Sequence, residues 1–160
     1  MHPLTKLQLV ICDLLDYDEQ LIKRGESNSI RADDKTNYIV VNSLSPALAQ
    51  AKGSEFDGNA EVLTLSSAYR MPVTIDFYGT DAYTNANKLQ LMLKSDKAKY
   101  LQKLHQITVA AVSAVADVKQ LTGQQYINRY QLTLNLLYNE SIALDTLRID
   151  EAVTEINFNR

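Results

Sequence analysis

A length of 160 residues with 46% apolar and 22% charged side chains bounds the chain to one domain with a proper core, and the net charge of −3 excludes a general nucleic-acid binder with a clustered basic surface. No run of roughly 18 apolar residues is present, so no membrane-spanning helix is expected, and the first residues lack the basic-then-apolar build of a secretory signal. Cys12 stands alone without a partner for an internal disulfide, which fits synthesis in a reducing cytoplasm.

Taken in order, Pro3 to Leu15 predicts a helix. Leu4, Leu7, Val10, Ile11, Leu14 and Leu15 recur at three- and four-residue spacing, and Pro3 suits a first helical position. Cys12 sits beside that stripe as a small apolar residue rather than a reactive thiol. Gln20 to Arg24 reads as a short strand, and the polar, turn-rich stretch from Gly25 to Asn37 as a surface loop. Tyr38 to Leu44 is short and β-branched, hence a strand. Ser45 to Asn59 carries two glycines, a proline and small residues. It reads as a flexible hairpin tip, and loops of that length in compact domains are often contact elements.

Next comes the strongest pattern in the chain. Leu63, Leu65, Tyr69, Met71, Val73, Ile75 and Phe77 alternate with mostly polar residues, which predicts a strand over Glu61 to Tyr78 with one buried face. A twist or bulge is expected near Ser66 and Ser67, and Pro72 belongs at an edge or bulge because it lacks an N–H. Paired with Tyr38 to Leu44, this strand makes a hairpin long enough to reach a neighbour. Gly79 ends it, and Thr80 or Asp81 is placed to cap the following helix. Ala82, Ala86, Leu89 and Leu93 share one face of that helix, with Leu91 and Met92 flanking it. Ser95 caps a second helix, Asp96 to Leu104, whose lysines (Lys97, Lys99 and Lys103, with Lys94 just before) make a solvated face.

Ile107 to Val118 reads as a bulged, buried strand with a phase slip near Ala110 and Ala111. Lys119 to Ile127 reads as a turn or bulge around Gly123. Asn128 to Tyr138 alternates again and predicts a strand, Asn139 to Thr146 a connector, and Leu147 to Phe158 a last extended segment. The order implies a single α+β domain over residues 1–160, with a long hairpin loop at 45–60 and an extended segment at 147–160. Its twisted, mostly antiparallel sheet is packed on one face by the N-terminal and central helices.

The residues for chemistry are sparse. His2 and His105 are the two histidines, neither spaced with other ligands for zinc, and no glycine-rich phosphate loop or nucleophile motif occurs. Asp33 with Asp34, and Asp16 with Asp18 and Glu19, read as solvated turns before a metal site. Asp76 is placed to pair with Arg70 or Arg129 across the sheet. No catalytic, metal or cofactor site is expected, and the chain does not read as an enzyme. The nine tyrosines are more informative, because Tyr69, Tyr78, Tyr126, Tyr130 and Tyr138 lie on or near the two strongest strands. Tyrosine combines apolar area with a polar tip, as contact surfaces need, although ordinary sheet and rim positions use it equally.

Two segments carry a family resemblance. In the first, Phe77-Tyr78-Gly79 ends a strand and Asp81-Ala82 opens the following helix. In the second, Asp117 and Leu121 lead through Tyr126 and Arg129 into the alternating run Leu132 to Tyr138. With the N-terminal helix and the Asn37-Tyr38-Ile39 start of a strand, residues 4 to 140 resemble the phage neck-terminator or tail-terminator family. The chain departs from that family at Pro72, in the Pro46 to Asn59 loop and after Asn139.

The resemblance implies a structural virion protein, made in the bacterial cytoplasm and located at the tail and neck. Such a protein forms a homo-oligomeric ring, commonly a hexamer, at the head-proximal end of the tail. One face meets the tail-tube protein and the other the neck or connector. DNA passes through the lumen without specific binding, in keeping with the acidic balance. Candidate contacts are Pro46 and Phe56 in the loop, Tyr69, Tyr78, Tyr126 and Arg129 on or near the strands, and Ile149, Val153, Ile156 and Phe158 in the last segment. That segment suits addition to a neighbour's sheet edge. Other readings of the same residues are a head–tail connector, a baseplate adaptor, or a small α+β binding or regulatory domain outside viruses. The last would be monomeric or dimeric with an enclosed apolar pocket.

Overall fold

The computed structural model describes residues 1–25, 37–45, 47–122 and 125–146, with backbone alone for 120–122 and 125–127. Helix α1 (Pro3–Leu15) buries all six of its predicted apolar positions. The His2 ring begins it by accepting the Leu4 N–H at 3.2 Å, and Asp16 ends it in the left-handed conformation at φ 55°. The strand expected over Gln20 to Arg24 is shorter, β1 (Ile22–Arg24), because Asp18 accepts the Gln20 N–H at 2.9 Å and winds Glu19–Leu21 into a 3-10 turn. Most of the loop expected from Gly25 to Asn37, residues 26–36, lies outside the described residues.

Strand β2 (Tyr38–Ser43) runs parallel to β1 and antiparallel to the second half of β4 (Val62–Tyr78). The first half of β4 pairs with β3 (Leu48–Asp57). This corrects the sequence reading of Ser45 to Asn59 as a flexible tip. Ten of those residues form a strand, and the hairpin turns at residues 58–61. The partner of the long strand's first half is therefore β3, not Tyr38 to Leu44. The irregularity expected at Ser66 and Ser67 falls instead on β3, where the register shifts between Ala49 and Ala51.

Pro72 lies in the middle of the sheet, yet the rule that sent it to an edge holds locally. The last β2 pair is Ser43 with Val73 and the first β3 pair is Leu48 with Arg70, so Pro72 falls in the gap between them. There its carbonyl accepts the Leu44 N–H at 2.9 Å.

Helix α2 (Ala82–Met92) buries Ala82, Ala86 and Leu89, with Leu93 buried just beyond it; Met92 flanks this face, while Leu91 points to solvent. Asp81 stands at the cap position without a side-chain cap bond. Its carboxylate accepts from the Asn37 amide at 2.7 Å, and its own N–H donates back to the Asn37 Oδ1 at 2.9 Å. Helix α3 (Asp96–Leu104) starts as expected, with Ser95 accepting the Ala98 N–H at 3.2 Å. Its lysine face is solvated as expected, with Lys94, Lys97, Lys99 and Lys103 all exposed. The Lys97 ammonium donates to the Asp13 carbonyl, and Lys88 on α2 donates to the Leu15 carbonyl, so both satisfy the C-terminal end of α1.

The bulged strand expected over Ile107 to Val118 is two short pieces, β5 (Ile107–Ala110) and β6 (Ala116–Asp117). They are separated where Ala111 takes φ 49°, close to the predicted phase slip. Of this run Ile107 is buried in the core. On either side of Gly123, which lies outside the described residues, β7 (Gln120–Thr122) and β8 (Gln125–Ile127) pair antiparallel. The strand predicted to end at Tyr138 continues as β9 (Arg129–Asp145), so Asn139 to Thr146 is not a connector. The segment expected from Leu147 to Phe158 lies outside the described residues.

The described residues form a seven-stranded sheet in the order β1-β2-β4-β9-β5, with β3 also on β4 and β6 also on β9. All pairings but β1–β2 are antiparallel, which bears out the α+β class. One sheet face meets the helices. Met71, Val73, Ile75 and Phe77 from β4, with Leu132, Leu134 and Leu136 from β9, pack against Leu7, Ile11, Leu14, Ala86 and Leu89. No helix among the described residues is long and apolar enough to cross a membrane.

Candidate functional site

Strands β4 and β9 pair without a register shift from Val62 with Asp145 to Tyr78 with Arg129. The helices cover one half of this ladder. The other half runs past them as a three-stranded arm made of β3, the start of β4 and the end of β9. Every residue of β3 is exposed, and so is β9 from Asn139 to Asp145. At about 3.3 Å per residue, the nine β4 residues from Val62 to Arg70 extend the sheet by about 30 Å.

Register assigns the faces, because directly opposed residues of an antiparallel pair point to the same side. Phe56, Leu63 and Leu144 stand in one row, and Ser54, Leu65 and Ile142 in the next. Lys52, Ser67 and Glu140 follow, and then Tyr69 and Tyr138, whose rings stack at 5.5 Å. Below the tyrosines the same face becomes Met71, Val73 and the core. The apolar side of the sheet thus continues beyond the helices that cover it. Phe56 is 47% exposed and Ile142 58% exposed, far from core values. A shallow groove of about 410 Å³ crosses this face, with Lys52, Leu65, Tyr69, Glu140 and Ile142 in its lining.

The opposite face of the arm is small and acidic towards its tip, with the exposed Leu48 and Arg70 at its base. Asp57, Val62 and Asp145 form its end row, then Glu55, Thr64 and Ala143, then Gly53, Ser66 and Ser141. A Cβ at Gly53 would sit 2.9 Å from the Ser66 Oγ, so a larger residue there would make that hydroxyl turn aside. The arm is therefore amphipathic in a region where the chain itself supplies nothing, among the described residues, to cover its apolar side.

At the other end of the β4–β9 ladder lies a polar cluster. Asp76, 1% exposed, accepts two hydrogen bonds of 3.1 Å from the Arg129 guanidinium and one of 2.9 Å from the Gln131 amide. Those bonds hold the guanidinium more firmly protonated than an ordinary arginine. The Tyr78 ring stacks on Tyr38 at 4.6 Å, with the guanidinium 5.8 Å from its centroid. Burial raises the Tyr78 phenol pKa, Asp76 raises it further, and Arg129 partly offsets the rise. Of the two carriers named for Asp76, Arg129 is the partner, and its role here joins strands.

Among the predicted contact residues, the structure brings Phe56 and Tyr69 to the apolar face of the arm. Tyr78 and Arg129 lie at the opposite end of the ladder, engaged with Tyr38 and Asp76. Tyr126 is on β8, whose backbone alone is described. Pro46, Ile149, Val153, Ile156 and Phe158 lie outside the described residues. Leu65, Ile142 and Leu144 were not singled out. Leu65 was legible in the odd-numbered stripe, and Ile142 and Leu144 in a short alternation within the supposed connector.

Among the described residues no three His, Cys, Asp or Glu side chains gather as a metal-binding group. Burial raises the Cys12 thiol pKa, with Glu19 and Asp13 adding to the rise, which makes the thiolate scarce at neutral pH. At pH 8 a chromogenic disulfide reagent is expected to label Cys12 several-fold more slowly than free cysteine. The rate should climb with a midpoint above that of the free thiol. A midpoint at or below it would show that Cys12 is an activated thiol.

A family model described as phage neck terminator protein matches residues 5–159. No curated protein matches the chain.

Proposed function

Because the chain belongs to the phage neck terminator family, we propose that it closes into a ring at the head-proximal end of the tail, ends tube growth there and joins the tail to the neck. Its place is the phage neck, among the structural proteins of the virion. The observation that carries the finer reading is the arm, which extends the core face of the sheet beyond the helices and leaves Phe56, Leu65, Ile142 and Leu144 exposed. A single-subunit role gives no reason for that surface, whereas a neighbour repeated around a ring covers it in every copy. In this reading the acidic tip of that other face lines the channel, where Glu55, Asp57 and Asp145 repel phosphate, and Arg70 at its base lies away from the tip.

The test pairs two measurements. Light scattering over a range of protein concentrations is expected to show a defined ring mass, or a rise towards one. Phage lacking the gene are expected to make overlong or headless tails. Tails of normal length joined to heads in its absence would overturn the reading.

A further inference from the structure

We infer that the open edge of β9 between Asn139 and Asp145 is a docking site for an added strand, and that the strand is segment 147–160 of a second copy of this chain. The inference rests on the ring reading and says how adjacent subunits are tied.

On its outer side β9 pairs with β6 at Tyr130 and Gln131, and with β5 from Asn135 to Tyr138. From Asn139 onward no described strand lies on that side, so the ladder's outward N–H and C=O groups are presented as a template. Protein edges of this kind are usually blunted by lysine, proline or a bulge. The run Asn139 to Asp145 contains neither residue, and its register with β4 is unbroken.

The edge leads into a built recess. Where β5 starts, at Ile107, a groove of about 720 Å³ opens between α3 and β9, with Lys99, Lys103, Tyr138, Asn139 and Ser141 in its lining. A strand added in line with β5 passes through it beneath the two lysines. Lys103 makes no ion pair among the described residues, and Lys99 has only the fully exposed Asp96. The recess thus fits a strand that is both apolar and acidic.

Segment 147–160 has that chemistry. It has no glycine or proline, its acidic Asp150, Glu151 and Glu155 outnumber Arg148 and Arg160, and Leu147, Ile149 and Val153 share one parity, with Ile156 and Phe158 on the other. Fully extended, 14 residues reach about 46 Å. A second copy is favoured by the direction in which the chain leaves β9. The Thr146 N–H donates to the Glu61 carbonyl at 2.8 Å, so the backbone is still bound on the β4 side, away from the open edge. One segment given and one edge filled per subunit is a heterologous contact, the kind that closes a ring.

The test uses two full-length species, both with Cys12→Ala. One adds Ser141→Cys on the edge, and the other adds Val153→Cys or Thr154→Cys. After mixing and mild oxidation, a disulfide between the two species is expected at a yield at least fivefold above a control that carries Thr84→Cys on α2 instead of the edge cysteine. Adding Lys99→Glu and Lys103→Glu to the edge species should cut the yield at least threefold. A third species with both cysteines in one chain distinguishes the donors, since a disulfide confined within single chains overturns the proposal. A ring mass by light scattering without the cross-link overturns it too, while leaving the ring reading intact. Absence of both ring and cross-link removes both.

Discussion

Replacing Arg129 with methionine is expected to cost about 3 kcal/mol of folding stability, at the low end of what breaking a buried ion pair costs. The reason is the carboxylate left behind. Asp76 is 1% exposed and its two strongest donors are the Arg129 nitrogens at 3.1 Å. Without them one neutral donor remains, the Gln131 amide at 2.9 Å, and a buried anion with a single neutral bond is far from satisfied. Arg129→Lys should recover only part of the loss, since an ammonium cannot make two parallel bonds to a carboxylate. Urea unfolding measures both variants, and the expected signature is a lower midpoint with an unchanged slope. A loss below about 1 kcal/mol for Arg129→Met would show that the pair behaves as a solvated surface pair.

The same cluster shows what the sequence makes legible. Asp76 on a strand with apolar neighbours invites a search for a cation, and Arg129 starts the only other strand with an equally clear alternation. Wherever a residue faces a core, its period announces it. All six apolar positions of α1 and the odd-numbered stripe of β4 from Met71 to Phe77 are buried as read. Wherever a strand has both faces in solvent, that announcement fails. Strand β3 reads Leu-Ala-Gln-Ala-Lys-Gly-Ser-Glu-Phe-Asp, with no alternation and a glycine near its middle, and it is a strand because β4 offers it a ladder. The end of β9 does alternate at Ile142 and Leu144, but that run is too short, and too polar at Asn139 to Ser141, to stand out from a connector. Both errors fall on the arm, the part of the sheet whose two faces the described residues leave exposed. Sequence reasoning there found a contact element but gave it the wrong backbone. It located Phe56 and Tyr69 on what proves to be one face, and overlooked Leu65, Ile142 and Leu144, which complete that face.

That face carries the second large effect. The double substitution Leu65→Ser and Ile142→Ser is expected to cost the isolated subunit about 1 to 2 kcal/mol, because Ile142 is 58% exposed, Leu65 at 39% exposed gives up some packing within the sheet, and serine is the poorer strand former. Its effect on assembly should be large. The two residues are directly opposed across β4 and β9, so they present one patch and not two scattered ones. If each buries its side chain against a neighbour, the loss is about 1.5 kcal/mol apiece, or about 3 kcal/mol per contact. That corresponds to an association constant lower by about two orders of magnitude at every repeat of the interface. Ala143→Ser, on the small acidic face of the same arm, serves as the control and should assemble normally. Sedimentation velocity of the three proteins, run beside their unfolding curves, separates docking from folding. A double variant that is still fully folded under the assay conditions yet stays monomeric at concentrations where the parent is a ring supports the assignment. One that assembles like the parent would move the subunit contact off this face of the arm.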